Sequence, residues 1–332
     1  MANLRWLANL RWLRVVYKTL GSQEIDAEVY LPQSPKGKKD AGCPVDIIPV
    51  INIHGGAFML GSSRMVNKDQ VQDCLERGWI VVVPNHRLCP QVNLLEGPIQ
   101  DCRDLLDWIQ NGGLQKALTS AELGHLVDVN HIFAFGTSSG GTLALCLGFG
   151  VARPVAGIYD MYGPCNFSHP FWTLKLPHIA AKLPPNLDQD FINQIFNNDH
   201  VPIEGGVSLE GQANPTGGPD FSNPRVAYAF TQIANGTVMD AIFPTKEWNK
   251  VDPLRNVGPR FPPTFIVHGD EDNMVPLDLS KSLLNALAEN GVHCGLRVIP
   301  GEGHTFAANM VVGSQTWNLQ REGFDFLESL IK

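Results

Sequence analysis

Four short segments of this 332-residue chain hold residue types suited to one chemistry, acyl transfer through a serine. Gly136-Thr137-Ser138-Ser139-Gly140 offers a hydroxyl among small residues, and Gly301-Glu302-Gly303-His304 an imidazole. Asp270-Glu271-Asp272 supplies carboxylates, and His54-Gly55-Gly56-Ala57-Phe58 a glycine turn. A serine hydroxyl attacks a carbonyl well only when a base takes its proton. An imidazole can be that base, and a carboxylate can hold it in the right tautomer. The charge that develops on the carbonyl oxygen calls for backbone N–H groups, which glycines leave accessible. Singly, each segment has an ordinary explanation: a tight turn, a capping aspartate, a satisfied core histidine. Their joint placement argues for the chemistry.

That placement follows from the elements around them. The apolar run Ile132-Phe133-Ala134-Phe135 precedes the serine segment, and Gly141-Thr142-Leu143-Ala144-Leu145-Cys146 follows it as a helix start. Ser138 is therefore expected on a strained strand-to-helix turn, where small neighbours let the two backbones pass closely. Ile47 to Ile53 reads as a buried strand leading into the glycine turn, Trp79 to Pro84 as an intervening strand, and Gln100 to Ile109 as a helix. Pro263 to Gly269 is a strand running into the acidic loop, and Cys294 to Pro300 a last strand before His304. The order Ser, Asp, His fits a doubly wound, mostly parallel central sheet with helices on both faces, its loops opening on one side.

On these residues the chain resembles the α/β-hydrolase superfamily and, within it, the hormone-sensitive-lipase-like carboxylesterases of the α/β-hydrolase-3 type. The resemblance rests on His54-Gly55-Gly56-Ala57, Gly136 to Gly140, His268-Gly269-Asp270-Glu271-Asp272 with Val275-Pro276, and Gly303-His304, and it spans most of the chain. It implies Ser138 as nucleophile, His304 as base and Asp272 as acid, with Asp270 the runner-up. It also implies an oxyanion hole from the backbone N–H groups of Gly56, Ala57 and Ser139, with His54, Gly55, Gly136 and Gly140 as supporting motif residues. Ala57 stands where the family often has a third glycine; its N–H survives, though its methyl narrows the pocket. Asn85-His86-Arg87-Leu88-Cys89-Pro90-Gln91 is similar to a diverged form of a family segment that supports the active face. Arg87 and Asp101 are its candidate polar residues, with a surface location as the alternative.

Composition fits one catalytic domain over residues 1–332 with an insertion. The 44% hydrophobic content suffices for a full central sheet. A formal net charge of −8 argues against a nucleic-acid footprint, and no apolar run is long enough to span a membrane. Seven cysteines without paired spacing read as free thiols, and no metal-ligand spacing or dinucleotide fingerprint appears. The expectation is a cytoplasmic enzyme without metal or cofactor. Asn166-Phe167-Ser168 and Asn235-Gly236-Thr237 match a glycosylation pattern that is too short to weigh. Ala2 to Leu7 is repeated as Ala8 to Leu13, a terminal duplication that admits a short helix near the active-site mouth or a membrane-surface segment. Val15 to Thr19 and Glu28 to Leu31 read as an opening hairpin. The sheet edge and the paired tryptophans Trp6 and Trp12 leave room for a homodimer.

After a strand at Val155 to Tyr159, residues from about 165 to 257 break the strand-helix rhythm. The stretch is rich in Pro, Asn and Gly, with helix-like pieces at Gln189 to Asn197 and Arg225 to Ala234. A structureless loop of that length is improbable, so we expect an inserted helical cap. Phe58, Phe167, Phe171 and Trp172 are candidate acyl-pocket residues, although most aromatics of the insertion would form its own core. The expected function is cleavage of carboxylic esters with small to medium apolar acyl groups through an acyl-enzyme. A thioesterase or acyltransferase working on a carrier protein or coenzyme A comes second, set back because Lys36-Gly37-Lys38-Lys39 is the only basic cluster for an acidic carrier. Amide hydrolysis is third, and from another class comes a ligand-binding protein on a hydrolase scaffold.

Overall fold

The structure is a computed structural model that describes residues 11–33, 46–197, 200–206 and 219–331. Lys36 to Lys39, Cys43 and most of the amino-terminal duplication lie outside these residues. The part of the duplication that is described, Arg11 to Leu13, is strand rather than helix.

Alternating apolar side chains in the first two strands and continuous apolar runs in the inner ones build an eight-stranded sheet. Its strands are β1 (Arg11–Leu20), β2 (Gln23–Leu31), β4 (Pro49–Ile53), β5 (Ile80–Pro84), β7 (Phe133–Thr137), β8 (Gly157–Met161), β9 (Thr264–Gly269) and β10 (Cys294–Ile299). The spatial order is β1-β2-β5-β4-β7-β8-β9-β10. β2 runs antiparallel to both neighbours, and all pairs from β5 to β10 are parallel. Two short strands, β3 (Asp46–Ile47) and β6 (Leu126–Val127), pair separately. The opening hairpin is longer than the sequence suggests, with both strands extending beyond their most apolar stretches.

The inner parallel strands β4, β5, β7 and β8 are buried on both faces, as helices on each side require, while the edge strand β10 is only partly covered. Ile51, Ile53, Val82, Ala134 and Ile158 belong to one apolar cluster. It is packed by α2 (Gln100–Gln110), α3 (Gly113–Ser120), α4 (Ser139–Leu145) and α9 (Leu277–Glu289), through residues such as Leu105, Leu114, Leu143 and Leu283. Val50, Val81, Val83, Phe133, Phe135, Tyr159 and Met161 face the other cluster. There α1 (Lys68–Glu76), α11 (Gln315–Gln320) and α12 (Glu322–Ser329) contribute Val71, Trp317 and Phe324. Phe324 sets its ring edge-on to both Phe135 and Tyr159.

Between β8 and β9 lie α5 (Pro177–Ala180), α6 (Gln189–Asn193), α7 (Pro224–Asn235) and α8 (Val238–Ile242). Asn223 caps α7 by accepting from the Arg225 N–H, Pro224 takes the first helical position, and Gly236 ends the helix in left-handed backbone. The short helix α10 (Phe306–Asn309) follows the last strand.

Candidate active site

The sheet carries the candidate residues to the carboxyl ends of β4, β7, β9 and β10, with β8 between the middle two. Ser138 follows β7 with φ 50° and ψ −124°, a strained backbone for a side chain of its kind. Its N–H is held by the Met161 carbonyl of β8 at 2.9 Å. The turn is possible only because of its glycines. A Cβ on Gly140 would lie 2.1 Å from the Ile53 carbonyl oxygen, and one on Gly136 would lie 2.5 Å from the Gly140 backbone. The elbow is thus wedged against the end of β4, beside the turn that begins at His54.

His304 reaches back from the loop after β10. Its Nε2 is 2.9 Å from Ser138 Oγ, and its Nδ1 is 2.6 Å from Asp272 Oδ2. Asp272, in the loop after β9, has a fully buried side chain, whose Oδ1 accepts from the N–H groups of Met274 at 2.8 Å and Val275 at 2.9 Å. Burial opposes charge on this carboxyl. The nearby imidazoles of His304 and His268, with their hydrogen bonds, outweigh it and hold Asp272 well below the usual carboxylate range. The structure therefore brings Asp272 rather than Asp270 to the histidine. Asp270 is exposed and accepts from the Gly301 N–H, tying the two loops together.

The glycine turn after β4 has three successive residues with positive φ: Gly56 at 126°, Ala57 at 53° and Phe58 at 63°. The Gly56 carbonyl closes it by accepting from Met59 and Leu60. Among the described residues, no turn or loop main-chain hydrogen bond is donated by the N–H of Gly56, Ala57 or Ser139. His54 is buried, its ring stacked on that of His86 with centroids 4.5 Å apart. Burial pushes the His54 imidazole down to about 3 and that of His86 down to about 4, so both are neutral.

Ser138, His304, Ala57 and Phe58 open on a cavity whose wall also includes Pro164, Phe171, Trp172, Leu176, Ile242 and Met274. Among the described residues, His304 is the one side chain on its lining that an acid or base could charge near neutral pH. Phe167 does not line the cavity. Its ring packs edge-on against Trp172 and Trp248 while Asp252 accepts from its N–H, so it belongs to the core beneath the wall. Arg87 and Asp101 are not a surface pair either. Asp101 is fully buried and accepts from the Arg87 guanidinium and N–H and from Lys18, pinning the segment after β5 to α2 and β1.

Several contributors were not among the candidate residues. Tyr162 sets its buried ring edge-on to His304 with centroids 5.0 Å apart. His268, the marker that locates Asp272 in the motif, is itself 3.1 Å from Asp272 Oδ2. Leu174, Ile233, Val238 and Met239 join the cavity wall from the segment between β8 and β9. The six described cysteines are free thiols. Among the described residues no helix is long and apolar enough to cross a membrane, and no cluster could hold a metal.

The mostly parallel sheet with helices on both faces, and a serine on the turn after a central strand, define the class, and comparison with known proteins agrees. The BD-FAE family model matches residues 28–171, and that of the prolyl oligopeptidase family residues 226–332. The chain belongs to the α/β-hydrolase superfamily.

Esterase 2 of Thermogutta terrifontis, in its propionate-bound form, superposes with a TM-score of 0.60 at 18% identity, covering 96% of this chain and 93% of that one. A Staphylococcus aureus protein of unknown function gives 0.68 at 19% identity, covering 96% and 100%. Among curated proteins, the non-reducing polyketide synthase ascC of Acremonium egyptiacum is 29% identical over 94% of this chain and 15% of its own length. Methylphloroacetophenone synthase of Cladonia uncialis is 27% identical over 94% of this chain and 13% of its own. The chain thus spans about one seventh of the length of these relatives.

Proposed function

We propose that this chain is a serine hydrolase that takes an acyl group onto Ser138 and releases it to water. One observation carries the reading: Ser138 Oγ, His304 and Asp272 stand in one hydrogen-bonded line at the floor of an apolar cavity. His304 Nε2 takes the hydroxyl proton as Ser138 Oγ bonds to the substrate carbonyl carbon. The carbonyl electron pair moves onto oxygen, where the N–H groups of Gly56, Ala57 and Ser139 stabilise it. Collapse of the intermediate expels the leaving group, which takes the proton from His304, and water repeats the sequence to free the acid. Asp272 holds His304 Nδ1–H and stabilises the imidazolium without itself being protonated.

The segment of about residues 165–257 acts in this reading as a cap that supplies much of the pocket wall. With its apolar lining, the pocket suits an acyl group of small to medium size without polar substituents, because a buried hydroxyl or amide there would lack a partner. A series of nitrophenyl esters of rising acyl length, with Ser138→Ala in parallel, tests this. Serine-dependent turnover with a chain-length optimum supports the reading, and equal rates for the two proteins at every length refute it.

A second reading uses the same residues on a thioester. The similarity to polyketide synthases favours it, since a synthase that assembles acyl units must release its product. Here the leaving group is a thiolate on a carrier protein or coenzyme A, and the acceptor is water or another nucleophile. Acyl-N-acetylcysteamine thioesters, compared with the matching ethyl esters, separate the two. A kcat/KM at least about a hundredfold higher for the thioester, beyond its greater intrinsic reactivity, selects the second reading.

A further inference from the structure

Arg225, at the second position of α7, is an unusual place for a buried cation. Only 7% of it is exposed, and a positive charge there opposes the helix dipole. Its partners carry no charge. One guanidinium nitrogen donates to the Met59 carbonyl at 3.2 Å and the Cys89 carbonyl at 2.8 Å, and the other to Gln91 Oε1 at 2.5 Å. Among the described residues no carboxylate acts on it, and burial pulls its pKa down to about 10. A desolvated charge without a counter-ion is costly, so stability of the helix does not account for this residue. What it grips does.

Met59 closes the turn in which Gly56, Ala57 and Phe58 all hold positive φ. Left-handed backbone at two successive side-chain-bearing residues is strained, and such strain persists only where surrounding contacts over-determine it. Here those contacts come largely from the segment between β8 and β9. Arg225 takes the Met59 carbonyl. The Gly61 carbonyl accepts from Gly205, and the Gly61 N–H donates to Gly206. Backbone approach is so close that a Cβ on Gly205 would lie 2.8 Å from the Met59 oxygen. Phe58 is held in turn by the Cys89 N–H, and Cys89 offers its own carbonyl to Arg225. One guanidinium thereby joins the turn after β4, the segment after β5 and α7.

We propose that Arg225 is a positioning residue for the oxyanion hole, so that seating of the cap and assembly of the hole are one event. This rests on the serine-hydrolase reading above and deepens it. The cap does more than wall the pocket: when α7 is in place its arginine fixes the strained turn and aims the Gly56 and Ala57 N–H groups. When α7 is displaced, the turn relaxes and the hole is lost while Ser138, His304 and Asp272 keep their line.

The test compares wild type, Arg225→Met, Arg225→Lys and Ser138→Ala in the full chain. Two inhibitors of matched alkyl length accompany the nitrophenyl ester. An alkyl trifluoromethyl ketone forms an anionic adduct with Ser138 and needs the hole; an alkyl alcohol only fills the pocket. Arg225→Met is expected to lower kcat about 10- to 100-fold and weaken the ketone by a similar factor, leaving KM and the alcohol within about threefold. Arg225→Lys, which keeps the charge and some donors, recovers part of both losses. The proposal is overturned if kcat and ketone affinity of Arg225→Met stay within about twofold of wild type, or if alcohol affinity falls in parallel with ketone affinity, the mark of a collapsed pocket. Ser138→Ala separates the failures: wild-type turnover in that variant refutes the hydrolase reading itself, whereas its inactivity beside an unaffected Arg225→Met refutes the arginine's role alone.

Discussion

His268 Nε2 lies 3.1 Å from Asp272 Oδ2, the oxygen that faces His304 Nδ1 at 2.6 Å. The same Nε2 is 2.8 Å from the Val275 carbonyl, while Nδ1 is 2.8 Å from Ser280 Oγ. Both neighbours of Nε2 only accept, so Nε2 carries a proton, and Nδ1 is paired with the Ser280 hydroxyl. A second serine and histidine thus mirror Ser138 and His304 across the carboxylate.

The mirrored pair is expected to orient the acid rather than take part in proton transfer. Asp272→Asn should lower kcat by about 10⁴-fold, by presenting the wrong tautomer to the base, whereas His268→Leu should lower it about tenfold. Ser280→Ala, leaving Nδ1 buried without a partner, should cost about 1–3 kcal/mol in urea unfolding. Equal kcat losses for Asp272→Asn and His268→Leu would contradict the auxiliary role.

Two aspartates should give opposite pH signatures. Asp272 is held below the usual range, so its contribution to stability is present at neutral pH and is lost only as the solution becomes strongly acid. Asp160, fully buried on β8, is pushed up to about 7 by burial, against one hydrogen bond from the Gly163 N–H. Its contribution is complete below the ordinary aspartate range and lost as pH rises toward 7. Asp160→Asn keeps the acceptor, so it should remove a decline in stability on the order of a few kcal/mol between about pH 4 and pH 7. Urea midpoints across that window check it; an unchanged slope would show that Asp160 is ionised in the folded protein.

Glycine tolerance should differ sharply between the elbow and the loop that carries His304. Gly140→Ala drives a methyl into the Ile53 and His54 carbonyls, at 2.1 and 2.6 Å, and neither backbone can yield. A loss of at least about 3 kcal/mol, or failure to fold, is expected. Gly303→Ala, beside His304, meets nothing closer than the Glu271 oxygen at 3.9 Å, so its melting temperature should hold. Comparable melting temperatures for the two variants would mean that the β4 contact is not what constrains the turn.

Acyl length should follow the cavity wall. Met239 and Trp172 both line it and are largely buried. Met239→Trp should move the best nitrophenyl ester to shorter chains and Trp172→Ala to longer ones, each by a few carbons, at about 0.8 kcal/mol per methylene gained or lost. A length profile unchanged in both variants would place the acyl group elsewhere.

Much of this protein is legible along the chain because its signals are local. Apolar runs such as Ile80 to Pro84 mark strands buried on both faces, and the small residues around Ser138 mark a turn that no larger side chain fits. The element types and their order, which fix the doubly wound architecture, need nothing beyond neighbours in sequence.

Tertiary structure alone decided what distant elements do to one another. Asp272 rather than Asp270 meets His304 because two loops from adjacent strands place them so, 32 residues apart. Phe167 left the pocket wall for the core because Trp172 and Trp248 close around it. Arg225 found Met59 from 166 residues away. Composition and periodicity report which face of an element is apolar; which side chain touches which depends on packing between elements, and a linear pattern does not encode that distance.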